Sequence, residues 1–165
     1  MLLLLLACAS TPPALIAEPA LLGRFRELHA PLPGAYALPA DRDPVYDTLA
    51  ASLDGELLTR EYVEVWTALR RMEDEGSALR VDAVEYEALR RVSLAPLRVE
   101  ASWRVTGTVT HRGHSHRRAN RYRAVFTLAE TEAGLRIVDA QAVNHERLLV
   151  QEEGADEGGL LELRR

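Results

Sequence analysis

The apolar positions of this 165-residue chain change their period once. Up to Gly76 they recur at helical spacing, and from Leu79 onward they alternate. Leu21, Leu22, Phe25, Leu28 and His29 mark one face of a short helix that opens after Pro19 and is ended by Pro31 and Pro33. A second helix is predicted with Asp43 as N-cap and Pro44 at its first position; its face is Val45, Leu49 and Leu53, and Gly55 closes it. A third runs from Thr59 through Tyr62, Trp66, Leu69 and Met72 to Gly76. Residues 41–75 hold 10 acids against 4 Arg, the balance of a solvated acidic surface.

Leu79, Val81 and Ala83 share one strand face and Val84, Tyr86 and Ala88 the other, which predicts a bulge near Ala83. From Leu97 to Val109, apolar residues at odd positions alternate with Arg98, Glu100, Ser102, Arg104, Thr106 and Thr108, as in a strand with one buried face. A further strand runs from His116 to Leu128, and a last one carries Leu135 and Ile137. A two-residue turn at Gly113-His114 would set Trp103 opposite Ala124, Val105 opposite Tyr122, Gly107 opposite Asn120, Val109 opposite Arg118 and His111 opposite His116. Both apolar faces then fall on one side, and Trp103 is predicted to be buried between sheet and helices. Pairing Leu128 with Leu135 sets Asp139 opposite Ala124 and Gln141 opposite Tyr122, so that Asp139 faces inward. A bulge after Ile137 would turn Ala140 and Ala142 inward instead. The fold class is therefore α+β, with N-terminal helices packed on a bent antiparallel meander of about four strands.

Composition narrows the function. With 47% apolar and 27% charged residues, the chain is an ordinary globule with one domain's worth of core. All 20 basic residues are Arg, so Schiff-base chemistry and a phosphate-loop lysine are excluded. The single cysteine, Cys8, excludes an internal disulfide and a Cys-x-x-Cys pair. A net charge of -5 argues against a nucleic-acid partner. Met1 and the five Leu after it fall far short of the roughly 20 residues that span a bilayer. Leu5-Leu6-Ala7-Cys8 has the pattern of a bacterial lipobox, with Cys8 as the lipidated residue; Ala7-Cys8-Ala9 equally fits an ordinary signal cleavage site. No Arg precedes the Leu run, which points to a start codon upstream. The chain divides into an export segment and tether (1–18), one domain (19–150) and an acidic, Gly-rich tail (151–165) expected to be disordered.

The distinctive chemistry lies in the hairpin. Its inward face is apolar near Trp103 and Phe126 and becomes polar toward the turn, through Tyr122, Asn120, Arg118, His116 and His111. Such a gradient fits a ligand pocket, or a tip that projects past the helices into water. Residues 98–123 carry 7 Arg and 1 Glu, a patch for an anionic ligand or acidic envelope partner, or for acids on the domain's own helices. His111, His114 and His116 offer three imidazoles to zinc or copper, although Arg112, Arg117 and Arg118 interleave with them and the hairpin holds no carboxylate. An isomerase or dehydratase would use Asp139 as base, with Tyr122 and His116 beside it. Cys8 lies in the export segment and no Ser sits in a Gly-x-Ser-x-Gly turn, so a nucleophile has no support. The residues favour a non-catalytic binding module without a cofactor.

Three helices followed by a bent meander resemble the nuclear-transport-factor-two-like (cystatin-like) α+β cone over residues 19–148. The resemblance rests on Val45-Tyr46-Asp47-Thr48-Leu49 after Asp41-Arg42-Asp43, and on the strand from Gly134 to Asp139. The hairpin His111-x-Gly113-His114-x-His116-x-Arg118-x-Asn120-x-Tyr122 is similar to one in bacterial exported domains of unassigned activity. The resemblance implies a periplasmic domain, free or held to the membrane by lipid on Cys8. It also implies that an exposed sheet face can form a homodimer. The cone carries isomerases, dehydratases and plain binding modules, so it leaves the activity open.

Overall fold

A computed structural model describes residues 17–148. The lipobox with Cys8 and the acidic tail lie outside the described residues. Four helices, α1 (Glu18–His29), α2 (Leu32–Ala35), α3 (Arg42–Ala50) and α4 (Gly55–Glu75), precede four strands, β1 (Ala78–Leu94), β2 (Leu97–His111), β3 (His114–Thr131) and β4 (Gly134–Leu148). The strands form one antiparallel sheet in the order β1-β2-β3-β4, so the α+β meander is as predicted. The core lies between the helices and one sheet face, with Leu21, Phe25, Val45, Val99 and Ile137 fully buried.

The helix boundaries differ from the periodic reading. Pro31 does not simply stop α1; it precedes the extra turn α2, which buries Ala35. Asp41, with extended backbone, is the N-cap of α3, while Asp43 sits in the first turn, where its charge suits the helix N-terminus. Gly55 starts α4 instead of closing α3, because the Asp54 carboxylate accepts its N–H at 2.6 Å and the backbone turns through a φ of +63°. This earlier start brings Leu57 into the stripe, so the buried face is Leu57, Val65 and Leu69, and Tyr62, Trp66 and Met72 are only partly covered. Leu53 lies beyond α3, in the α3–α4 turn. That turn is bonded to β4, with Ile137 N–H donating to Ser52 at 3.0 Å and Asp54 N–H to Ile137 at 3.1 Å.

The β2–β3 register runs unbroken from Leu97↔Leu128 to His111↔His114. The turn is Arg112-Gly113 and not Gly113-His114, with Gly113 second at a φ of +90°. Trp103 therefore pairs with Tyr122 rather than Ala124, Val105 with Asn120, Gly107 with Arg118 and Val109 with His116. A shift of two residues preserves the faces. It also adds His114 to the face shared by His111 and His116.

The edge strands behave differently. β1 has register breaks at Asp82, Glu87 and Val92, the first beside the predicted Ala83, and β4 has them at Val138 and Val143. Bulges only on the edges bend a sheet whose central strands stay regular.

Candidate functional site

The two bulges of β4 decide what faces the helices. After Val138, Ala140 pairs with Phe126 and Ala142 with Ala124; after Val143, His145 pairs with Tyr122. Asp139 pairs with Thr127, on the opposite face from Phe126, where Gln141 Nε2 donates to its carboxylate at 3.2 Å. The inward Asp139 of the simple register is thus corrected, and so is the Tyr122–Gln141 pairing. An enzyme built on Asp139, Tyr122 and His116 loses its base.

Between the sheet and α1, α2 and α4 lies a cavity of about 780 Å³. Its deep end is aromatic. Trp103, 8% exposed, meets His29 edge-on at 4.5 Å, stacks with Tyr122 at 5.4 Å and tilts against Phe126 at 5.7 Å. Leu49 and Leu53 line the same space, whereas Trp66 lies under the Arg42 guanidinium, 5.6 Å from its ring centre. His29 is 3% exposed, and its Nδ1 is 2.8 Å from the Tyr86 hydroxyl. Burial lowers the His29 pKa to about 4, so the imidazole is neutral at physiological pH, and burial pushes the Tyr86 hydroxyl up to about 12.

The outer end has two unlike walls. On the helix side, the Tyr36 hydroxyl donates to Glu64 at 3.2 Å, and burial, followed by the charges of Glu64 and Glu61, raises its pKa. Glu61 is raised too, by burial and then by Glu64, with Arg60 at 3.7 Å as its counter-charge. On the sheet side stand Arg118, Asn120, Tyr122 and His145, the last two stacked in parallel at 4.7 Å. Arg118 Nε and Asn120 Oδ1 are buried without a hydrogen-bond partner. Gly107 lies opposite Arg118; a Cβ there would come within 2.6 Å of the Arg80 carbonyl oxygen.

The structure therefore brings Arg118, Asn120 and Tyr122 into one cavity and leaves His111, His114 and His116 beyond it on the hairpin. The three imidazoles cluster with ring centres 5.4 to 6.1 Å apart, and His116 lies nearly parallel to the other two. Among the described residues, no group of three or more His, Cys, Asp or Glu is placed to hold a metal ion.

The outer sheet face uses most of its Arg internally. Glu87 accepts from Arg104 at 3.3 Å and Arg121 at 2.9 Å, and Glu100 pairs with Arg90 at 2.6 Å and Arg123 at 2.7 Å. Although burial acts to raise the Glu100 carboxyl, hydrogen bonds from Arg123 and Arg90 outweigh it and hold the group below its usual range. These partners sit on strands, not on the helices. Among the described residues Arg112, Arg117 and Arg118 form no ion pair.

His29, Tyr36, Glu61, Glu64 and His145 are cavity residues that sequence reasoning did not assign to the site. Two carried a signal. His29 follows Phe25 by one helical turn on an apolar stripe, and Glu61 lies midway between Leu57 and Val65 on another. His145 carried none, because two bulges set its direction.

No described helix is long and apolar enough to cross a membrane. No family model matches the chain, and no curated protein matches it. Among solved structures it is similar to the intermembrane-space region of the chloroplast protein ARC6, with a TM-score of 0.51 and 12% identity over 74% of this chain and 95% of that one. At that identity the likeness is one of fold alone.

Proposed function

We propose that this domain is an exported, non-catalytic binding module that takes a small, largely apolar ligand carrying an anionic group. The observation that carries the reading is Arg118, whose Nε is buried without a partner on the wall of a cavity with an aromatic deep end. Asn120 Oδ1, unpartnered beside it, is an acceptor and takes a donor from the ligand. A buried donor without a partner costs about 1–3 kcal/mol, which a bound anion offsets. Tyr122 supplies a third contact beside them, and His111 and His116 extend the basic face outward.

Titration with anilinonaphthalene sulfonate, an apolar fluorophore with one negative charge, tests this. The expected result is saturable binding that weakens with salt and falls about tenfold, or 1.4 kcal/mol, in Arg118→Ala. Unsaturable binding, or an unchanged affinity in that variant, overturns the reading.

Export is supported by the Leu run ending at Ala7-Cys8-Ala9. Cell fractionation with and without globomycin separates a lipid-held form from a released one, and a full-length chain confined to the cytoplasm refutes export.

A further inference from the structure

We infer that His29 is a ligand contact at the aromatic end of the cavity, selecting ligands whose apolar end bears a hydroxyl. This rests on the binding reading above and goes further by naming the ligand's second polar point. The His29 ring is packed among Phe25 at 5.3 Å, Trp103 at 4.5 Å and Phe126 at 5.0 Å, an environment that a phenyl ring would fill equally well. Its Nδ1 is taken by Tyr86, while its Nε2 has no partner among the described residues and the side chain lines the cavity. Nε2 is not among the fully buried polar atoms that lack a partner, so it is reachable from the cavity, where a ligand can bond it.

The Tyr86 hydroxyl can donate to Nδ1 or accept from it, so Nε2 carries the ring proton in one tautomer and a lone pair in the other. A hydroxyl, which both donates and accepts, suits Nε2 in either tautomer. A carboxylate at this depth would lose its hydration against a neutral imidazole, so the charge belongs at the other end, on Arg118.

The fold also sets the length. Trp103, against which His29 packs, is paired with Tyr122, and Arg118 lies four residues further along β3, about 13 Å away at strand rise. Three backbone bonds span about 3.5 Å when extended, so a ligand chain of about eleven bonds covers the stretch from the Trp103–Tyr122 pair to Arg118. The ligand class is an elongated monoanion with a terminal neutral oxygen. In this class 10-hydroxydecanoate is the matched probe and decanoate its control.

The experiment measures displacement of anilinonaphthalene sulfonate from the full chain by each acid. The hydroxy acid is expected to bind at least about fivefold more tightly than decanoate, and His29→Phe is expected to abolish that preference while retaining the dye and decanoate. Absence of dye binding removes both readings. Dye binding with equal affinity for the two acids, with no affinity for either, or with a preference that persists in His29→Phe, overturns this inference alone. Should His29→Phe fail to fold, the wild-type protein with ¹⁵N-labelled histidine decides. A His29 signal that shifts with 10-hydroxydecanoate and not with decanoate supports the contact, and an unmoved signal refutes it.

Discussion

The Tyr86 hydroxyl on β1 lies 2.8 Å from His29 Nδ1 on α1, a side-chain hydrogen bond that ties the first helix to an edge strand. Burial holds the His29 pKa at about 4 in the folded state, below the 6.5 of a free imidazole. Between those values the unfolded chain binds more protons, so stability is complete above about pH 6.5 and is lost as pH falls through about 4. The expected loss between pH 7 and pH 5 is about 2 kcal/mol. Urea unfolding at both pH values measures it, and His29→Phe should flatten the profile across that window.

Removing the hydroxyl leaves Nδ1 buried without its partner. Tyr86→Phe is expected to lower stability by about 1–3 kcal/mol at pH 7, read from the same denaturation curves.

Trp103 joins three aromatic neighbours at the base of the cavity. Trp103→Ala should cost about 3–5 kcal/mol, in the range for deleting a core aromatic ring. Thermal and chemical denaturation check this, and a loss below about 1 kcal/mol would mean that the ring is not part of the core.

Gly107 permits the close approach of β1 to β2 beside the Asp82 bulge. Its missing Cβ would stand 2.6 Å from the Arg80 carbonyl and 3.2 Å from Leu79 Cδ1. Gly107→Ala is therefore expected to destabilise by about 1–3 kcal/mol through forced backbone movement. Gly113→Ala meets no such atom but must hold a φ of +90°, and about 1–2 kcal/mol is expected there.

The Arg104–Glu87–Arg121 cluster is partly exposed, with the Glu87 side chain 32% accessible. Glu87→Gln should therefore change stability by no more than about 1 kcal/mol, and the difference should shrink in molar salt.

The central hairpin was legible because neither β2 nor β3 bulges against the other, so strict alternation from Leu97 to Val109 reports the true faces. The turn was misplaced by one residue, yet Arg118, Asn120 and Tyr122 still pointed inward, since a two-residue change of register preserves parity. The outer strands were not legible in this way. A bulge after Ile137 was one of two readings of β4, and at Val138 it turns Ala140 and Ala142 inward and Asp139 outward, while nothing in the sequence marks Val143. Gly55 misled for a related reason: a positive φ serves a helix start as well as a helix end, and only the Asp54 bond distinguishes them. The cavity's helix wall was missed because Glu61 and His29 interrupt apolar stripes that otherwise read as plain core.

Both outer strands of the sheet are interrupted at five-residue steps, at Asp82, Glu87 and Val92 on one side and at Val138 and Val143 on the other. An incoming strand in search of a continuous ladder of free N–H and C=O groups would lose register within two or three bonded pairs. The sheet is thus closed to growth at both margins, and on β4 the α3–α4 turn also occupies the edge at Ile137. A second copy of the domain, or any protein partner, would have to approach through side chains on a face. The same kinks that bend the sheet around its cavity also keep the protein from polymerising through its own backbone.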